Sequence, residues 1–376
     1  MGPGDRMETY DTGSLPFIGD WERYEKGARS VDQLLGLLYP GKPEVDRDYF
    51  DQKAVEGFLL KAETGIDVTN YPQFRDMNQM FLDAFTGLEK TPRGYLETGR
   101  IQVKAGESEI AEVRAIREHS GEIAEKTGSP VRLKVGITGP YTLASTVADR
   151  RAETYTSMAE AISEVVKANL FDGKHGGVRM LLIEEPAFGL VDDPLLDYGQ
   201  GGRESLLHAW ESVFEAAKLK EVRTGFHFHS TRDSLFWEVR AADIIESHVD
   251  DPIYLQSQTR ARLEETDKFV KASIAVTDFD SLIRKSLSQT QGRADELVLN
   301  ERLGNIWKGI GKGSIDPLGF IEDGSLMSCR LRSIVSRLGQ DRVPFAGPEC
   351  GLRSFPTLES ALELLRRVSE AARTIK

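Results

Sequence analysis

Cysteine is nearly absent from this chain. Only Cys329 and Cys350 occur among its 376 residues, and no short-spaced pair exists. That scarcity argues against a disulfide-stapled scaffold and makes a reducing cytoplasm the expected compartment. No apolar run approaches the roughly 20 residues that a membrane-spanning helix needs, and the opening MGPGDRMETYDTGSLP carries no hydrophobic signal core. An excess of positive charge is missing too. Lys and Arg number 48 against 60 Asp and Glu, for a formal net charge of −12, which opposes non-specific attraction to phosphate backbones or anionic lipid. Nucleic acid and membrane are therefore not expected partners, although a local Arg could still hold a small anion. Fixed-period repeats and low-complexity segments are also lacking.

What is present is ordinary for a globular protein: 40% hydrophobic and 29% charged residues, in a chain long enough to bury a large core unaided. Short β-branched runs alternate with amphipathic helical patterns. Residues 131–137, 178–183, 223–229 and 242–247 read as strands, with 343–346 a shorter one near the end. Met158, Ile162, Val165 and Val166 form one helical stripe, and Leu358, Ala361, Leu362, Leu365 and Val368 another, capped by Thr357. Strand–helix alternation along a whole chain predicts a parallel sheet with helical crossovers. The length favours one closed α/β barrel, (β/α)8 of the TIM type, over residues 1–376, with an open doubly wound sheet as the alternative. The region around residues 30–60 reads as an N-terminal decoration. The polar stretch 250–306 reads as an insertion late in the barrel, flanking the site.

In such a barrel, chemistry sits where strands end. His227 and His229 share a face of one strand, and two imidazoles at i, i+2 are a possible metal pair; the bland reading is a histidine hydrogen-bonded inside the barrel. Of the two, His229 is nearer the strand end and is the ligand candidate, with His227 behind it. Glu246 and His248 share parity on the next strand, and either can bind a borderline dication; an ion pair with a neighbouring Arg is the structural alternative for Glu246. Cys350 sits in the turn Gly347-Pro348-Glu349-Cys350-Gly351, less easily explained by packing than Cys329, which lies in a helical pattern and is expected to be packed. One His, one Glu or His, and one Cys at strand ends make an acceptable zinc ligand set with a fourth position open.

Six segments in order then resemble the cobalamin-independent methionine synthase family, specifically its C-terminal catalytic barrel, within a superfamily that includes methylcobamide:coenzyme M methyltransferases and uroporphyrinogen decarboxylase. They are Thr12–Pro16, Pro72–Met77, Thr138–Thr142, Ile183–Ala187, the stretch from Gly309-Ile310-Gly311 to Asp316, and Gly347–Arg353. The resemblance implies zinc held by His229, Cys350 and either Glu246 or His248. It also implies substrate contacts at Gly13, Ser14 and Glu184, with Glu184 and Asp316 as the catalytic pair and Asp316 near the methyl donor. Two positions depart from the family pattern: Thr231 stands where the family has a second zinc cysteine, and Tyr71 where it has a glutamate. The N-terminal half of the long synthases has no counterpart in the chain.

The implied reaction is zinc-dependent methyl transfer onto a small thiol, most simply homocysteine to methionine. A free thiol is only about 3% ionised at pH 7, and zinc removes that limit. The donor is methylfolate or a methylated corrinoid protein. The alternatives are a methylcobamide-dependent thiol methyltransferase, a metal-free decarboxylase of the uroporphyrinogen type, and a binding protein that has lost its metal. The first reading requires the His229 nitrogen and the Cys350 sulfur to lie about 3 to 4 Å apart.

Overall fold

The computed structural model describes residues 6–29, 45–197, 199, 201–218, 222–291 and 295–375. Among the described residues eleven strands run in chain order: β1 Glu8–Thr9, β2 Thr69–Asn70, β3 Phe85–Thr91, β4 Gly94–Val103, β5 Val131–Thr138, β6 Asp172–Gly173, β7 Gly176–Glu185, β8 Arg223–Phe228, β9 Ile244–Glu246, β10 Phe269–Ala275 and β11 Phe345–Pro348. Eight of them form one parallel sheet in the order β1-β11-β10-β9-β8-β7-β5-β2. A parallel bridge between Tyr10 and Val68 joins the two ends of that order, and Val68 N donates to Thr9 O at 2.9 Å. The sheet is thus curled into a barrel, and the expected α/β barrel is the architecture found.

Alternation along the strands separates two cores. Tyr10, Val68, Met180, Leu182, Ile244 and Phe345 pack together inside the ring. Val135, Ile137, Leu181, Ile183, Phe226 and Phe228 point outward and join the larger core beneath the helices. The helix Ala152–Asn169 buries Met158, Ile162, Val165 and Val166 there. The last helix, Leu358–Ala372, starts with a reciprocal cap in which Ser360 N donates to Thr357 Oγ1 at 3.1 Å.

Three expectations need correction. Residues 250–306 are no insertion, because they contain β10, which pairs with β9 on one side and β11 on the other. The run FVKASIA hides its strand character because Lys271 and Ser273 interrupt it; both are buried inside the barrel. Residues 30–44 lie outside the described residues, but the rest of the supposed N-terminal decoration is the helix Val45–Ala62, the crossover between β1 and β2. The real decoration is the antiparallel hairpin β3–β4, which the sequence reading did not anticipate. Cys329 does lie in a helix, Gly324–Leu338, but it is exposed rather than packed.

Candidate metal centre

The C-terminal ends of β8, β9 and β11 converge. His227 is the penultimate residue of β8 and His229 follows that strand directly; His248 lies two residues beyond β9, and Cys350 two beyond β11. One donor atom from each lies within 4.8 Å of the other three. His229 Nε2 stands 3.5 Å from Cys350 Sγ, and His227 Nε2 stands 3.7 Å from it. The rings of His229 and His248 are 4.1 Å apart between centroids. Bond lengths of about 2.0–2.1 Å to nitrogen and 2.3 Å to sulfur in a tetrahedron put N and S roughly 3.6 Å apart. The two separations bracket that value.

Other observations bear on whether a metal fits. His248 Nε2 is buried without a hydrogen-bond partner among the described residues, a costly state that a bound cation would relieve. Burial lowers the imidazole of His227 to about 4 and that of His229 to about 2, and it lowers His248 as well. All three rings are therefore neutral near pH 7, the form that binds metal. Burial pushes the Cys350 thiol up to about 12, so without a cation it keeps its proton. The four residues suit a borderline dication such as zinc.

Glu246 is not among the four. Its carboxylate lies 2.8 Å from His227 Nδ1 and 2.9 Å from Lys271 Nζ, and all three side chains are buried. Burial would raise its pKa, yet the Lys271 charge and the His227 hydrogen bond outweigh that and hold it well below the usual carboxylate range. The open choice between Glu246 and His248 thus falls on His248 for the cluster. His227, expected behind the ligands, is in it. The i, i+2 spacing that put it on the same face as His229 was the signal.

Thr231 has a partner of its own. Its hydroxyl donates to Asp251, and its N–H donates to the same carboxylate at 3.0 Å. Asp251 in turn caps the short helix Pro252–Leu255. The position that would carry the family's second thiolate serves here as a loop fastening.

The remaining predicted residues split. Gly13 and Ser14 form a turn after β1. Gly13 has φ of +134°, and a Cβ there would collide with Asn70 and Gln73, so only glycine fits. Lys61, buried at the end of its helix, fastens this turn by donating to Asp11 Oδ2 at 2.8 Å, Asn70 O at 2.6 Å and Gly13 O at 3.1 Å. Ser14 Oγ accepts from Arg353 N at 3.3 Å, and Ser14 O accepts from Leu352 N at 2.9 Å. The turn is therefore sewn to the segment carrying Cys350. Glu184, the penultimate residue of β7, stands beside His227 in register. Gly136 leaves room for its carboxyl, which a Cβ would strike. Its hydrogen bonds among the described residues come from Gln73 Nε2 alone, long at 3.5 Å to each oxygen. Burial raises this carboxyl to about 7. Tyr71, in the place of the family's glutamate, donates its hydroxyl to Gly136 O at 2.8 Å.

Asp316 does not join them. The segment 309–311, whose resemblance is to a strand of the family, is the end of the helix Glu296–Gly311, whose residues carry a helical period behind the cap Asp295. Asp316 is exposed and caps the turn Pro317–Phe320 through Leu318 N.

No protein-family model matches the chain, and no curated protein does. Solved structures do. A B12-independent methionine synthase from Shewanella sp. W3-18-1, in complex with selenomethionine, superposes with a TM-score of 0.61 at 15% identity, over 99% of this chain and 98% of that one. A candidate vitamin-B12-independent methionine synthase from Listeria monocytogenes gives 0.60 at 14% identity, over 99% of both chains. A methyltransferase from Methanosarcina mazei gives 0.50 at 14% identity, over 98% and 95%. At these identities the likeness is one of fold, and it spans the whole barrel, in agreement with the fold of the family that the motifs resemble.

Proposed function

We propose that this barrel is a zinc-dependent methyltransferase that moves a methyl group onto a small amino-acid thiol, with homocysteine as the acceptor. The observation that carries this reading is the convergence of His227, His229, His248 and Cys350 at one end of the barrel, beside a buried carboxyl with weak protein partners. Bound zinc would supply a thiolate at neutral pH by binding and deprotonating the acceptor thiol. Three of the four side chains suffice for a catalytic zinc, which keeps one position for substrate.

The chain's own residues supply the rest. Glu184 is placed to accept hydrogen bonds from an ammonium group. A cation beside it would restore the ionised form that burial disfavours. The Gly13–Ser14 turn, joined to Arg353 N through Ser14 Oγ, lies beside the cysteine segment and would contact the same amino-acid end. Held at both its ends, an acceptor sulfur meets a methyl donor with little orientational freedom left to lose. The donor is methylfolate or a methylated corrinoid protein. Asp316, exposed and engaged in its own turn, receives no role.

Elemental analysis of the purified protein tests the metal. Methyl transfer to homocysteine from methylfolate and from methylcobalamin then tests the reaction and separates the donors. One metal per chain together with methionine formation supports the reading. A metal-free chain that forms no methionine overturns the reading and favours the metal-free alternatives instead.

A further inference from the structure

We propose that Glu246 is a positioning residue for the metal site, acting through His227 rather than binding the ion, and that its pairing with Lys271 also ties the site to the strand end that carries Cys350. This rests on the metal reading above.

The two nitrogens of His227 are committed to different tasks. Nδ1 faces Glu246 Oε1 at 2.8 Å, while Nε2 faces Cys350 Sγ at 3.7 Å. A carboxylate beside an ammonium has no proton to give, so at this ion-pair distance the tautomer with its hydrogen on Nδ1 is the favoured one. That leaves the Nε2 lone pair aimed into the cluster. In the other tautomer, Nε2–H would point at the metal position and two acceptors would face each other at Nδ1. An outer carboxylate that sets the tautomer and ring orientation of a metal-binding histidine is a recurrent device.

The other oxygen of Glu246 meets Lys271 Nζ at 2.9 Å, and Lys271 also donates to Pro348 O at 2.7 Å. Pro348 ends β11, two residues before Cys350. One chain of contacts therefore runs from His227 through Glu246 and Lys271 to the backbone that presents Cys350. Glu246 and Lys271 are fully buried, so solvent does not compete for these contacts. Register adds to this. His227 and Glu246 are direct neighbours on β8 and β9, so their side chains meet inside the barrel without further adjustment of the backbone.

The probe is Co2+ titrated into metal-free protein, read by its d–d bands and by the thiolate-to-cobalt charge-transfer band, which reports Cys350 independently of activity. Glu246→Gln should weaken binding by about 10- to 100-fold, the range seen when such outer partners are lost. The same substitution made in a His227→Ala background should change affinity no further. Because Glu246→Gln alone strands the buried Lys271 charge and risks misfolding, Glu246→Gln with Lys271→Met is measured beside it, with and without His227. The same dependence on His227 is expected there. A loss of affinity that is equally large with and without His227 overturns the proposal, since Glu246 would then act as a ligand or through the fold. Absence of 1:1 cobalt binding by the unaltered protein overturns the metal reading itself, and this inference with it.

Discussion

His229 Nε2 stands 3.5 Å from Cys350 Sγ although 121 positions separate the two residues in the chain. Parallel barrel topology brings this about, because every strand delivers its C-terminal end to the same rim. If the pair binds metal, removing its thiol should be decisive. Cys350→Ser should lower zinc or cobalt affinity by about 100-fold or more, because the anionic soft ligand is gone, and it should abolish the thiolate-to-cobalt band. The thermal midpoint of the metal-free protein should stay close to that of the unaltered chain.

Metal binding should release one proton. The three imidazoles are already neutral near pH 7, with His227 at about 4 and His229 at about 2, whereas the Cys350 thiol, raised to about 12, still holds its proton. Only the thiol has a proton to lose, so apparent affinity should rise about tenfold per pH unit between pH 7 and 8. Calorimetric titration in buffers of different ionisation enthalpy measures the number directly. Two or more protons released would mean that the histidines are charged in the metal-free site.

Thr231→Cys separates likeness in sequence from placement in space. With Thr231 fastened to Asp251, the new thiol should leave zinc affinity unchanged. Loss of the hydroxyl bond to that carboxylate should cost about 1 kcal/mol of stability, readable by denaturant unfolding. A tighter zinc site in the variant would place residue 231 at the metal after all.

Glu184→Gln should stabilise the ligand-free protein while impairing it as an enzyme. Burial raises this carboxyl from 4.5 to about 7. Between those values the unfolded chain releases the proton and the folded chain keeps it. The stability that the protonated group contributes is complete below pH 4.5 and is lost as the pH rises through about 7. The neutral amide removes that loss, so the variant should be more stable than the unaltered protein at pH 8 by about 1–3 kcal/mol. Urea unfolding at pH 5 and pH 8 gives the comparison. A difference of the same size at both pH values would deny that Glu184 titrates in this window. In activity assays the variant should show a raised KM for an amino-acid thiol and little change for a thiol that lacks the amino group.

The sequence by itself determined the barrel and most of its wall. Alternation of β-branched runs with apolar helical stripes is local chemistry, and it located β5, β7, β8, β9 and β11. Parity along a strand put His227 with His229, and Glu246 with His248, on common faces. Local pattern failed where a polar side chain is buried. Lys271 disguised β10 because a lysine inside a barrel has a physical meaning only beside Glu246, which lies on another strand. Only the tertiary structure decided which polar residues are donors at the metal position and which hold them. His248 lies beyond the end of β9 and reaches the rim, whereas Glu246, one inward-facing position deeper, meets His227 and Lys271 first. That difference is set by depth along the barrel axis, which depends on how neighbouring strands are staggered, and no spacing within a single strand encodes the stagger.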